Sequence, residues 1–381
     1  MSPTPVTFTS PTAPASYSWE ATDEEVSARY GVPIERVVRF DLNTSPAPPA
    51  FAARVLSEGR FETPLSEYAP SDYRRLIEAA AARYDVGTDE IIVGAGADEI
   101  LDIIGKVLLA PGSTAVVPTP SYAMYRVITE QRGAQVNAVP RLGASEGYAV
   151  DIPAVRGAAR TASVIWLCSP NNPTGLPEPD GAIEMLLDVV AVDAIADGRA
   201  APIVVLDEAY AEFVGRSLVG LRERHPNLIV VRTASKAYGL AGLRVGFGIA
   251  RPELIGRLNP FRPPGSVSTV SVTVVTEALT DPTAASANIE RVVRERERLR
   301  AELTTLGWSV GPSVTNFVIV DLGSAERAAA TAEGLMGHGL VPRTFPSGHP
   351  LAGHLRLTVR AQAENDRLIE AVRGLASEAP A

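Results

Sequence analysis

The chain has 381 residues, 46% of them hydrophobic and 21% charged, with a formal net charge of −9 at pH 7. That length exceeds what one core usually absorbs, so two domains, or one large domain with an appendage, are expected. The composition is that of an ordinary globular protein, and the acidic balance argues against a nucleic-acid or anionic-membrane surface.

Residues 1–15 are rich in Ser, Thr and Pro, with neither a basic nor an apolar signal-peptide region, and read as a disordered leader. No apolar run approaches the ~18 residues of a membrane span, so a cytoplasmic enzyme is the default class. From about residue 71 helical and strand patterns alternate. Ser71–Tyr84 is amphipathic, Ile91–Val93 is a short strand, and Gly94-Ala-Gly-Ala-Asp98 opens a helix over Glu99–Leu109. Thr114–Val117 is the next strand, Tyr122–Arg132 a helix, and Val136–Val139 extended. The strand Val164–Cys168 ends in Ser169-Pro-Asn-Asn-Pro-Thr-Gly175, and a helix follows near Ile183–Ala196. Strands are then expected at Ile203–Leu206, Leu228–Val231 and Arg244–Ala250.

Short apolar strands separated by helices predict a mostly parallel sheet covered on both faces, with ligands bound beyond the carboxyl ends of its strands. After residue 265 the pattern changes to a charged helix over Asn288–Leu306, a strand Phe317–Asp321, a helix Ala325–His338, Leu340–Arg343, a strand His354–Val359 and a final helix from Ala363. The run Arg294-Glu-Arg-Glu-Arg298 is expected on a solvated face with intrahelical ion pairs. The predicted organisation is an N-terminal arm and part of a small domain at 16–50, a large domain at 51–265, and a smaller α+β domain at 266–381.

Cys168 is the sole cysteine, which excludes an intramolecular disulfide, and the four histidines lack HExxH spacing. Lysine occurs only at 106 and 236. A lysine loses its proton and forms a Schiff base, whereas arginine is effectively always charged. Lys106 sits on an amphipathic helix away from any motif, so a solvated position is expected. Lys236 lies in Arg232-Thr-Ala-Ser-Lys236-Ala-Tyr-Gly-Leu-Ala-Gly-Leu-Arg244, between a strand and a glycine-rich turn.

Four segments carry chemistry: Gly94–Asp98, Ser169–Gly175, Asp207-Glu-Ala-Tyr210 and Ser235-Lys236. Singly, each also reads as a turn, a strand end or a helix cap. Together, and with Tyr122 and Arg244, they make the set that pyridoxal 5′-phosphate requires. Its aldehyde needs a lysine, its ring nitrogen an acid, its ring oxygen hydrogen-bond donors and its ring face an aromatic. Its phosphate needs a helix N-terminus and an arginine.

On these motifs the chain, from about Tyr68 to Arg360, resembles the class I/II aminotransferases of the type I pyridoxal-phosphate fold, and within them the histidinol-phosphate aminotransferase group. The resemblance implies an α/β large domain with a mostly parallel central sheet and a smaller α+β domain. It implies that Lys236 binds the cofactor and then moves the substrate proton as general acid/base. Asp207 would pair with the ring nitrogen, Tyr210 and Asn172 would bond the ring oxygen, and Tyr122 would stack on the ring. The amides of Ala97 and Asp98, with Ser235 and Arg244, would bind the phosphate, with Thr233 a further candidate. Tyr68 would reach the phosphate in a neighbouring subunit, implying a homodimer with shared active sites. Arg356 aligns with the arginine that binds the substrate's acidic group, and Arg343 with a second arginine of that group; two guanidinium forks suit a phosphate ester.

The chain departs from the pattern at Asp41-Leu-Asn-Thr-Ser-Pro46, where only Asn43 and Pro46 keep the family's substrate-facing lip, and at Arg360, where a glycine is expected. Tyr17 or Trp19 would serve as the aromatic of the N-terminal arm or as a packing anchor. The implied reaction moves an amino group from L-histidinol phosphate to 2-oxoglutarate, giving imidazole acetol phosphate and L-glutamate, as a step of histidine biosynthesis. Alternatives on the same scaffold are an aminotransferase for aromatic or specialised-metabolite amino acids, and an O-phosphothreonine decarboxylase. The expected partners are a small-molecule amino donor and a 2-oxo acid, with no metal, nucleic acid or membrane.

Overall fold

A computed structural model describes residues 16–61 and 63–378. The expected leader therefore lies outside the described residues.

Among the described residues, twelve strands form three sheets. They are β1 (Val38–Arg39), β2 (Ile91–Gly94), β3 (Thr114–Thr119), β4 (Gln135–Pro140), β5 (Val164–Cys168), β6 (Ile203–Asp207), β7 (Leu228–Thr233), β8 (Gly246–Ile249), β9 (Ser309–Val310), β10 (Phe317–Asp321), β11 (Leu340–Val341) and β12 (His354–Thr358). The largest sheet has seven strands in the order β2-β8-β7-β6-β5-β3-β4. All its pairings are parallel except those of β8, which runs against both β7 and β2. This is the mostly parallel α/β sheet that the sequence leads one to expect.

The apolar strands read as continuous runs because both faces of the sheet are covered. Alternate residues serve opposite cores: Val164, Trp166 and Cys168 join Ile100, Leu101, Ile103 and Ile104 of the helix Gly96–Leu108. Ile165 and Leu167 face Ile183, Leu186, Leu187 and Val190 of the helix Ala182–Ala196. The period of two in a strand divides one run between two cores.

A three-stranded antiparallel sheet, β12-β10-β9, and the pair β1-β11 make the second unit. Val38 and Phe40 are buried there with Leu299, Val318, Leu357 and Val372, so the segment around residue 40 packs with the C-terminal part of the chain. The helix Thr269–Thr280 instead buries Val272, Val274 and Val275 with Leu76 and Phe247 of the large core. We therefore propose a domain boundary nearer residue 286 than 265.

The solvated reading of Arg294–Arg298 needs correction. Glu295 and Arg296 are buried. Glu295 accepts from Arg298 at 2.9 Å and from Asn365 at 3.1 Å, and Arg296 donates to the Thr315 carbonyl at 3.0 Å. The helix Ser286–Thr305 is covered by the final helix and by the small sheet, so its charged run is divided between two environments. Among the described residues, no helix is long and apolar enough to cross a membrane.

Candidate active site

Each motif occupies the end of a strand at one edge of the large sheet. β2 leads into Ala97 and Asp98, β5 into Asn172 and β7 into Ser235 and Lys236, while β6 ends on Asp207. β8 runs the other way, so Arg244, which precedes it, reaches that same edge. The reversed strand is what brings the arginine to the motifs.

These residues line a cavity of about 500 Å³, together with Asn43, Tyr122, Thr233 and Arg356. Lys236 Nζ donates to the Asn43 carbonyl at 3.2 Å and lies 5.8 Å from the centre of the Tyr210 ring. Burial, assisted by the nearby Arg356 charge, lowers the lysine to about 8. Asp207 accepts from the Tyr125 hydroxyl at 2.8 Å and the Ala209 amide at 3.0 Å. Burial nonetheless raises its carboxyl to about 6. Such a carboxylate is well suited to receive a cation.

Asn43 is a junction. Its backbone has φ 54°, and its side-chain amide donates to the Tyr210 hydroxyl at 3.0 Å. Its carbonyl accepts from Asn316 at 2.9 Å as well as from Lys236. Burial raises the Tyr210 hydroxyl far above the ordinary tyrosine value, keeping it a neutral donor. Arg356, from β12, donates to Asn172 Oδ1 at 2.6 Å and to the Asp41 carbonyl, and its guanidinium sits 5.4 Å from the Phe317 ring centre. Its Nε is buried with no hydrogen-bond partner, a donor left for a ligand.

At the other end of the cavity the helix Gly96–Leu108 begins. The amides of its first turn have no intrahelical acceptor and favour an anion. Tyr122 donates to Asp98 at 3.0 Å, and Arg244 pairs with the other oxygen of Asp98 at 3.3 Å. Thr233 donates to Ser235 at 3.0 Å. Two glycines permit this approach: a Cβ on Gly96 would lie 2.4 Å from the Arg244 guanidinium, and one on Gly246 2.4 Å from the Ala97 nitrogen.

Two expected residues lie apart from the cavity. Tyr68 is 88% exposed and rests beside Gly265. Arg343 donates to the Ser18 carbonyl at 2.6 Å, lies 3.6 Å from Glu20 and covers the Tyr17 ring. It thus secures the N-terminal arm, whose Tyr17 and Trp19 line the cavity in edge-to-face contact. Lys106 pairs with Asp102 at 2.6 Å, as a surface-helix lysine does.

Sequence reasoning missed Tyr125 and Asp41. Tyr125 stands three positions after Tyr122, the spacing that puts two residues on one helix face, so a signal existed. Asp41 lines the cavity and holds Arg39 with both oxygens, at 2.9 and 2.6 Å; no local pattern marks it. Cys168 also lines the cavity, but burial pushes its thiol up to about 12, which makes it a poor nucleophile.

The geometry fits pyridoxal phosphate on three counts: a buried lysine amine, a buried carboxyl lining the same cavity, and an anion cradle that side chains at 96 and 246 would fill. Comparison with known proteins agrees. Residues 41–372 match the model of the family described as aminotransferase class I and II. A histidinol-phosphate aminotransferase of Roseiflexus castenholzii is 36% identical over 363 residues, covering 93% of each chain. One from Thermococcus gammatolerans is 36% identical over 341 residues, covering 89% of this chain and 92% of its own. The solved histidinol-phosphate aminotransferase of Sinorhizobium meliloti, in complex with pyridoxal-5′-phosphate, superposes with a TM-score of 0.81 at 26% identity, covering 94% of this chain and 95% of that one.

Proposed function

For a chain that belongs to the class I and II aminotransferase family, we propose L-histidinol phosphate as amino donor and 2-oxoglutarate as acceptor. The enzyme is a pyridoxal-phosphate-dependent aminotransferase. The observation that carries the donor assignment is the buried Arg356 in the cavity, with an unpartnered Nε, in a chain whose relatives across nearly its full length bear that substrate's name.

When bound, the cofactor supplies an aldehyde for amine chemistry and a ring that accepts charge from the substrate's Cα. The residues have these roles in our reading. Lys236 binds the cofactor, and its Nζ then takes and returns the Cα proton. A lysine lowered to about 8 is partly neutral near pH 7.5, which a base requires. Asp207, oriented by Tyr125 and the Ala209 amide, keeps the ring nitrogen protonated. Tyr210 and Asn172 orient the ring oxygen, and Tyr122 covers the ring. Ala97, Asp98, Ser235 and Arg244 hold the cofactor phosphate, with the Arg244–Asp98 pair aiming the guanidinium. Arg356 binds the donor's acidic group, with Asn43 at the lip. Arg343 contributes by fixing the arm that bears Tyr17 and Trp19.

The exposed Tyr68 fits a role in a partner's site, so we propose a homodimer with shared active sites, located in the cytoplasm. Mixed dimers of K236A and Y68F chains should then transfer amino groups faster than either parent. No gain on mixing would remove the shared-site reading.

Substrate identity is decided by single turnovers of holoenzyme with histidinol phosphate, aromatic amino acids and O-phosphothreonine. The proposal requires histidinol phosphate to give its keto product fastest, with the amino group retained on the enzyme and no CO₂. A faster aromatic donor, or CO₂ from O-phosphothreonine, would overturn it.

A further inference from the structure

Behind the lysine loop, on the side away from the cavity, lies a polar chain that the reaction as described does not use. Asn288, on the helix Ser286–Thr305, donates its side-chain amide to the Ala237 carbonyl at 2.8 Å and to the Lys236 carbonyl at 3.3 Å. Its Oδ1 accepts from Arg291 at 2.8 Å and from Ser45 of the substrate-facing lip at 3.4 Å. Arg291 donates in turn to the Arg360 carbonyl at 2.8 Å, just beyond the strand that bears Arg356. Arg360 is held by Glu364 at 2.9 Å and reaches the Thr44 carbonyl at 3.5 Å.

Because Arg291 is donor-only, it fixes which end of the Asn288 amide carries oxygen and directs the NH₂ group at the lysine loop. We propose that Asn288, oriented by Arg291, is a positioning residue that holds the Lys236 backbone so that Nζ stays on the line of proton transfer. A lysine side chain has four rotatable bonds, so its reach is defined only if its Cα is fixed, and proton transfer is sensitive to displacements well under 1 Å. The Lys236 carbonyl also accepts from the Gly239 amide at 3.1 Å inside the loop, whereas the Ala237 carbonyl takes its donor from Asn288 at 2.8 Å, so the side-chain amide anchors the loop from outside. The same amide ties three segments together: the lysine loop, the lip at 43–45, and the helix that packs on the C-terminal unit. The Arg360 carbonyl, which accepts from Arg291 at 2.8 Å, closes the chain.

The inference rests on Lys236 being the cofactor lysine. K236A tests that separately, since retention of a covalently held cofactor in K236A would refute the premise and leave Asn288 out of the question. Asn288 itself is tested with N288L, which keeps the branched shape and removes both donors, and with R291M, which frees Asn288 without touching the loop. Positioning requires kcat for donor turnover to fall about tenfold or more while KM stays within about twofold. The double variant should be no slower than N288L alone, since both remove one device.

A second readout uses the two-lysine composition. In the cofactor-free full chain, competitive acetylation followed by mass spectrometry compares Lys236 with Lys106 as internal reference. The Lys236 to Lys106 labelling ratio at pH 8 should fall about threefold in N288L as the amine drifts toward its ordinary titration range. Unchanged kcat and labelling ratio, with only a lower Tm, would make Asn288 a structural residue and overturn the proposal. Should N288L fail to fold, R291M is read by the same two measurements, and wild-type values there overturn it equally.

Discussion

Arg356 Nη1 donates to Asn172 Oδ1 at 2.6 Å, joining a strand of the small sheet to the turn that follows β5 of the large one. The two residues are 184 positions apart, and the bond closes the floor of the cavity from the C-terminal side. Replacing Arg356 by Lys keeps the charge but removes the planar fork that reaches Asn172 and the Asp41 carbonyl together. R356K should raise KM for the acidic donor about tenfold to a hundredfold, with a smaller effect on kcat. Steady-state kinetics with the donor varied reads both, and an unchanged KM would place the substrate's acidic group elsewhere.

Capture of the cofactor should follow the ionisation of Lys236. Only the neutral amine attacks the aldehyde, and burial lowers this lysine to about 8. The rate of binding to cofactor-free protein should therefore rise with pH to a midpoint near 8, where an ordinary lysine would give a midpoint near 10.4. Stopped-flow absorbance between pH 6.5 and 10 locates it. A midpoint above 9.5 would show that the amine is not desolvated in solution.

Asp207 should cost stability until a cation arrives. Its folded-state carboxyl is raised to about 6 by burial, above the ordinary aspartate value of 3.8. A raised carboxyl contributes stability below its unfolded value and loses it as pH rises through the folded one. In cofactor-free protein D207N should therefore raise Tm at pH 7.5 by about 2 °C or more, with the gain shrinking toward pH 4.5. The same variant should turn over donor at least about a hundredfold more slowly. A lower Tm at pH 7.5 would show that Tyr125 and the Ala209 amide already compensate the charge.

Gly246 should tolerate no side chain. Its Cβ would overlap the Ala97 nitrogen and the Gly96 carbonyl carbon, each at 2.4 Å, and these are backbone atoms that cannot rotate away. G246A should lower stability by about 1–3 kcal/mol and weaken cofactor binding, because the phosphate-facing amides shift. Calorimetry and cofactor titration test the two effects, and wild-type affinity with normal Tm would mean that the helix start is free to move.

Much of this protein is local in origin. Lys236, Asp207, Asn172 and the glycine-rich turn are legible because each sits within a few residues of a strand end, and covalent neighbours can announce one another. The strands are legible too, since burial on two faces demands an unbroken apolar run. Other features carried no such mark. Asn43 holds Lys236 through a carbonyl, and every residue has one, so composition is silent about it. Asp41 and Asn316 act only because β12 lays the lip against the small sheet. Glu295 and Arg296 look solvated in a charged run until two elements from elsewhere in the chain cover them. Arg343 reads as a substrate ligand, and its hold on the arm at 17–20 could not be read from the sequence. Residue types and strand-end positions determined the chemistry, since reactivity belongs to side chains. Partnership, burial and the pKa values that follow belong to tertiary structure, because desolvation and hydrogen bonding depend on groups hundreds of residues away.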